Sequence, residues 1–338
     1  MTHITPPRPV DLVAVFPELT SVARTATRLH PRPGTPSVHD SSIGGPLLWP
    51  ASEPWPHCHA EDHDAERLPS ISLADARLER RIRAARNSEG REYTTEEREI
   101  LDRMEERPAT DGPIAMLPVA QLYVRDVPGL HPPEGADLLQ VLWCPYEHDD
   151  DGMPKTALFW RSAAAITDVL VDPPEPAEYE QDLVPEPCMI DPEQVIEYPK
   201  SGELEGELRQ RVNQWTMAQI PGVEFDGLED DDQPYDLLCI APGWKIGGWI
   251  SWNMQDPYPN PCPTCGTPTE PLLTIASREW EMNGRHWVPY EDQAADILWG
   301  AVQGGPSSPT RICVSDVNNQ IIRICPTSHE HPHIQMMQ

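Results

Sequence analysis

Two thiols, Cys262 and Cys265, lie in the stretch NPCPTCGTP, flanked by prolines and followed by Gly266. Cys-x-x-Cys-Gly in a tight turn aims two thiolates at one metal ion. A redox pair would instead open a helix after a strand, and Gly266 and Pro268 oppose that helix. A zinc ion needs two more donors. The run CPTSHEHPH offers Cys325, His329, His331 and His333, and thiolate with imidazole suits zinc. A competing run, HCHAEDH, offers His57, Cys58, His59 and His63. These would form a site of their own, complete the first one, or stand singly as surface imidazoles. Glu330 adjoins the histidines, but there is no His-Glu-x-x-His and no Gly-x-Ser-x-Gly elbow. A catalytic zinc also keeps an open position beside an acid or base. A closed, structural zinc is therefore the economical expectation.

The elements that must position these donors are short. Pro is abundant, 41 of 338 residues, which rules out a body of long helices. The stretches IAMLPVAQLYVRDV, DLLQVLWCPY, TALFWRSAA and EPLLTIASREW read as strands of an antiparallel meander. RICVSDVNNQIIRIC reads as a C-terminal β-hairpin turning at Asn318-Asn319. In that register Cys313 shares the core face with Ile322 and Ile324, and Cys325 faces the other way. Residues 57–112 differ, being charged and nearly free of Pro between Pro69 and Pro108. The spacing predicts a two-helix insertion over 73–106, lying outside the core, with Thr94 and Glu97 as a capping box. Leu204, Leu208, Val212 and Trp215 form one helical stripe.

The chain writes one phrase twice: SSIGGPLLWPASEPWP from Ser41 and KIGGWISWNMQDPYP from Lys245. Each is followed, after the insertion or after the knuckle, by an apolar strand. An internal duplication accounts for that order. Gly-Gly lets the backbone take positive φ; it is not a phosphate loop, because no Lys-Ser/Thr and helix start follow. Trp49, Trp55, Trp249 and Trp252 form either a core corner or a pocket at the seam between the halves.

Ser42-Ile43-Gly44-Gly45 with Pro50 and Trp55-Pro56, then LPVAQLYV, then Lys245-Ile246-Gly247-Gly248, resemble the YwqG-like family of bacterial proteins, a domain of unknown function. The likeness runs from about residue 37 and is nearest the large actinobacterial branch, with its charged helical insertion and Cys-rich C-terminal part. The resemblance implies an α+β fold with antiparallel sheets and internal duplication. It implies immunity or protein-binding roles, since some members occur near toxin systems. It also favours His331 over its neighbours, giving the metal set Cys262, Cys265, Cys325 and His331. The chain departs from the simpler members in its long insertion, in LLTIAS where a Gln is more usual, and in the Cys-Cys pair.

The expected organisation is a Pro-rich N-terminal segment (1–35), a first core half (36–171) holding the insertion at 57–112, a Pro-rich connection and helix (172–236), and a second half (237–338) with the Cys-rich part. A formal net charge of −30 argues against nucleic acid and anionic membranes and leaves room for a basic protein partner. Acid runs at Asp149 to Asp151 and Glu229 to Asp232 read as loops, without the ligand spacing of a calcium site. No signal peptide or membrane span is read, so a cytoplasmic setting with reduced thiols is expected. The expected function is a non-catalytic protein-binding protein with a structural zinc. The alternative is a zinc-dependent or pocket enzyme acting on a small molecule at the seam.

Overall fold

The structure, a computed structural model, describes residues 3–59, 71–106, 112–148, 152–219, 234–280, 282–293, 305–315 and 317–338. His63 and the acid runs at 149–151 and 229–232 lie outside the described residues. The strands are β1 (Arg24–Arg28), β2 (Arg32–Pro33), β3 (Ser42–Ile43), β4 (His57–Cys58), β5 (Ile114–Ala115), β6 (Leu117–Tyr123) and β7 (Leu138–His148). They continue as β8 (Met153–Arg161), β9 (Cys188–Met189), β10 (Glu193–Glu197), β11 (Lys245–Gly247), β12 (Glu270–Ala276), β13 (Asn319–Ile324) and β14 (Ile334–Met337). The α-helices are α1 (Leu12–Val15), α2 (Leu73–Glu89), α3 (Thr95–Leu101), α4 (Gly206–Gln219) and α5 (Pro234–Cys239). The fold is α+β with antiparallel sheets.

Two six-stranded sheets carry the core, in the orders β2-β9-β3-β6-β7-β8 and β10-β1-β11-β12-β13-β14. They are copies of one another. In the first, Ile43 pairs with Ala120 and Ala120 with Val141. In the second, Ile246 pairs with Leu273 and Leu273 with Ile322. Each has its register shift at the same place, Pro118/Ala120 in one and Pro271/Leu273 in the other. The first glycine of each pair takes the same left-handed conformation, Gly44 at φ +62° and Gly247 at +68°, while at the second only Gly248 does, at +75°; a side chain there would be strained. One principal core takes Ile43, Leu117 and Val141 from the first sheet and Ile246, Leu273 and Ile322 from the second.

The halves exchange strands. Residues 1–35 are not simply a leading segment: β1 lies inside the second sheet between β10 and β11, and β2 edges the first. The connection at 172–236 returns β9 to the first sheet and β10 to the second. Its helix α4 buries Val212 beside Leu204, with Leu208 and Trp215 packed around them, so the apolar stripe is a packing face.

Two expectations are corrected. The insertion is helical, and the capping box at Thr94 and Glu97 forms with both its bonds. Yet α2 does not lie outside the core. Leu73 and Ala76 join the principal core, and Arg80 donates to the carbonyls of Val184 and Gln181. Only α3 buries no residue. Leu73→Ala should therefore cost about 2–5 kcal/mol, the usual range for emptying a packed leucine site. Urea denaturation reads this, and a loss under about 0.5 kcal/mol would mean that α2 is detached.

The hairpin is also different. Among the described residues Val314 bridges Asn318, and the left-handed residues of this stretch are Arg311, Ser315 and Val317, not the asparagines. The reason is that β13 has both edges taken, by β12 and by β14. The C-terminal hairpin is β13 with β14, and Cys313 is half-buried rather than a core thiol.

Candidate metal centre

The knuckle is closed by its own backbone. Pro261 bridges Pro268, the N–H of Cys262 donates to the carbonyl of Thr267 at 2.8 Å, and that of Gly266 to the carbonyl of Cys262 at 2.8 Å. Gly266 takes φ +74°, which glycine reaches without strain. The turn leaves Cys262 buried and Cys265 exposed at the rim. The other two donors come from the β13–β14 connection. β13 ends at Ile324, and Cys325, fully covered, begins the turn that carries His331. Arg323 ties the two pieces together, with Nε donating to Thr269 Oγ1 at 2.9 Å.

The four donor atoms of Cys262, Cys265, Cys325 and His331 all lie within 4.8 Å of one another. Cys265 Sγ is 3.5 Å from Cys325 Sγ, Cys262 Sγ is 3.5 Å from His331 Nδ1, and Cys325 Sγ is 3.3 Å from His331 Nδ1. Zn–S bonds of about 2.3 Å and a Zn–N bond of about 2.0 Å set tetrahedral edges of roughly 3.5–3.8 Å. The cluster can hold a metal ion with little adjustment. Its thiols are prepared for it. The hydroxyl and backbone N–H of Thr267 hold the Cys265 thiol below its usual range. Burial opposes ionisation of Cys325, but the N–H groups of Thr327 and Ser328 overcome it and bring that thiol to about 7.

The neighbouring histidines are committed elsewhere. His329 sits against the edge of Trp160 with Nε2 3.1 Å from the carbonyl of His131. His333 Nε2 lies 2.9 Å from Thr156 Oγ1. The competing run HCHAEDH does not gather into one site among the described residues. Strand alternation points His57 outward and Cys58 inward, His57 Nδ1 lies 2.8 Å from the carbonyl of Trp55, and His59 is exposed. Cys58 turns to Cys144 and His148, forming a second group with donor atoms within 4.8 Å. Sequence reading missed Cys144 and His148, because they belong to a strand and sit four residues apart. A register irregularity between Trp143 and Glu147 is what brings them together.

The four tryptophans do not share one pocket. Trp49 and Trp55 pack with ring centroids 5.1 Å apart and planes tilted by 55° in their own core cluster. Trp249 and Trp252 line a cavity of about 540 Å³ with Arg24, Glu203, Tyr258 and Arg323, and Arg24 lies 3.7 Å over the Trp249 ring. The same cavity reaches Thr269 on the knuckle. No helix among the described residues is long and apolar enough to cross a membrane.

No protein-family model matches the sequence, and no curated protein is significantly similar to it.

Proposed function

We propose that Cys262, Cys265, Cys325 and His331 bind a structural zinc ion in a non-catalytic protein that binds another protein. One observation carries the reading: three thiols and one imidazole have donor atoms all within 4.8 Å of one another, the number of protein ligands that fills a tetrahedral ion. Such a site joins parts rather than activating water. It fastens the knuckle to the β13–β14 hairpin. The net charge of −30 favours a partner with a basic face, whose association weakens as salt rises.

A second reading, a zinc-dependent or pocket enzyme acting on a small molecule, draws on the cavity beside Trp249 and Trp252. Against it stands the full set of four donors, which leaves no position for a metal-bound water.

Zinc-loaded protein used as bait in an extract of its own host, alongside a screen for hydrolytic turnover, tests the choice. The expected result is a defined protein retained at low salt and released as salt rises, with turnover no greater than that of Cys262→Ser. Turnover abolished in a folded Cys262→Ser variant would overturn the non-catalytic reading.

A further inference from the structure

We propose that Cys58, Cys144 and His148 hold a second zinc ion, at the first half's copy of the centre built by Cys262, Cys265, Cys325 and His331. The inference extends the zinc reading above to a second place, and the duplication supplies its argument.

The register identifies the counterparts one by one. In the first half Leu117 pairs with Trp143 and Pro118 with Leu142. In the second half Glu270 pairs with Ile324 and Pro271 with Arg323. Trp143 therefore stands where Ile324 stands, and the next residues are Cys144 and Cys325. The same alignment sets Ala115 on Pro268. His57 pairs with Ala115 and Cys58 with Ile114, while Pro261 pairs with Pro268 and the Cys262 N–H bonds the Thr267 carbonyl. Cys58 thus occupies the place of Cys262. The imidazoles match in reach. His148 comes four residues after Cys144 and His331 six after Cys325, so the imidazoles do not align residue by residue, but each sits at a similar reach from the first cysteine of its group. Cys58 Sγ to His148 Nε2 is 3.6 Å, and Cys262 Sγ to His331 Nδ1 is 3.5 Å.

What differs is the tip. The second half closes its knuckle with Pro263-Thr264-Cys265-Gly266, whereas the first half carries its whole helical insertion between Cys58 and Ile114. No single residue corresponds to Cys265. Three donors remain, all nearly sealed from solvent: Cys58 is 7% exposed, Cys144 0% and His148 1%. Two thiolates and an imidazole select a thiophilic ion such as zinc over magnesium, calcium or manganese. Three protein ligands are the number that holds zinc with one further position. The ion would fasten the base of the insertion to β7, as the first ion fastens the knuckle to β13 and β14. Binding displaces the protons of both thiols and involves no electron transfer.

Zinc analysis of the full chain purified without chelator tests this, with Cys262→Ser, Cys144→Ser and the double variant beside it. The expected contents are about two, one, one and zero ions per chain. One ion in the wild type, lost in Cys262→Ser and kept in Cys144→Ser, overturns the second centre and leaves the proposed function intact. One ion lost only in Cys144→Ser overturns the proposed function instead, and no ion at all sinks both. Two further readouts use the unaltered protein and so do not depend on Cys144→Ser folding. Cobalt substitution should give thiolate-to-metal absorption equivalent to about five thiolates per chain, against about three for a single centre. Thiol titration after chelation and denaturation should find all eight cysteines reduced; a deficit of two that traces to Cys58 and Cys144 would replace the ion with a disulfide.

Discussion

Chelating the ion proposed at Cys262, Cys265, Cys325 and His331 should lower the melting temperature by about 6 °C. An ion present at about a thousandfold over its Kd stabilises the folded chain by roughly 4 kcal/mol. A chain of this length gains unfolding entropy at about 0.7 kcal/mol/K, which converts that loss into the shift given. The direction follows from linkage: the donors come from two stretches of chain, Cys262 and Cys265 on the knuckle and Cys325 and His331 after β13, and they meet only in the folded state. Cys262→Ser should reproduce this centre's share of the shift and leave chelator only the effect of the second group, Cys58, Cys144 and His148. Cys313→Ser should leave the effect of chelator whole, because Cys313 is half-buried and stands outside both metal-binding groups. Differential scanning calorimetry with and without chelator is the measurement, and an unchanged melting temperature would contradict a structural ion.

Glu197→Ala should cost about 3–5 kcal/mol, the usual result of stranding one member of a buried ion pair. Glu197 is fully buried, and its Oε1 accepts from Lys245 Nζ at 2.7 Å. The carboxylate also accepts from the N–H groups of Ala241 and Trp249. Lys245 donates onward to the Trp249 carbonyl. The pair thus holds the loop after the second Gly-Gly. Burial pulls the Lys245 ammonium below its usual range, opposed by Glu197, so removing the carboxylate leaves a buried charge with no counter-ion and only the Trp249 carbonyl as acceptor. Glu197→Gln should cost less, since the amide keeps an acceptor. Urea denaturation of both variants decides it, and equal small losses would show that the pair is dispensable.

The first half solves the same problem with amides. Gln121 Oε1 accepts from the Leu48 N–H at 2.7 Å and from Gln140 Nε2 at 2.9 Å. By register Gln121 corresponds to Thr274 and Ser42 to Lys245. Where the first half has Gln121, the second has Thr274, and there the loop after the Gly-Gly is held by Glu197 with Lys245 instead.

The repeat and the strands were legible because turn chemistry and apolar runs are local. So was the knuckle, whose two thiols are fixed by a nine-residue phrase. The strand exchange was not, since nothing in RTATR at residues 24–28 says that it belongs beside β11. The C-terminal hairpin was misread for a related reason. Asn318-Asn319 is a good local turn, but which edge β13 offers depends on β12, far away in sequence. Leu73 and Ala76 looked like part of a surface helix until the core they enter was in view. Cys144 and His148 carry no motif at all; only the register of the two sheets shows what they correspond to.

X-ray absorption at the zinc edge tests the central claim most directly, made on Cys144→Ser after circular dichroism shows it folded, so that one centre remains. The closed site predicts about three sulfurs near 2.3 Å and one nitrogen near 2.0 Å, with no oxygen in the coordination sphere. An oxygen ligand, fewer than three sulfurs, or no bound zinc would contradict it.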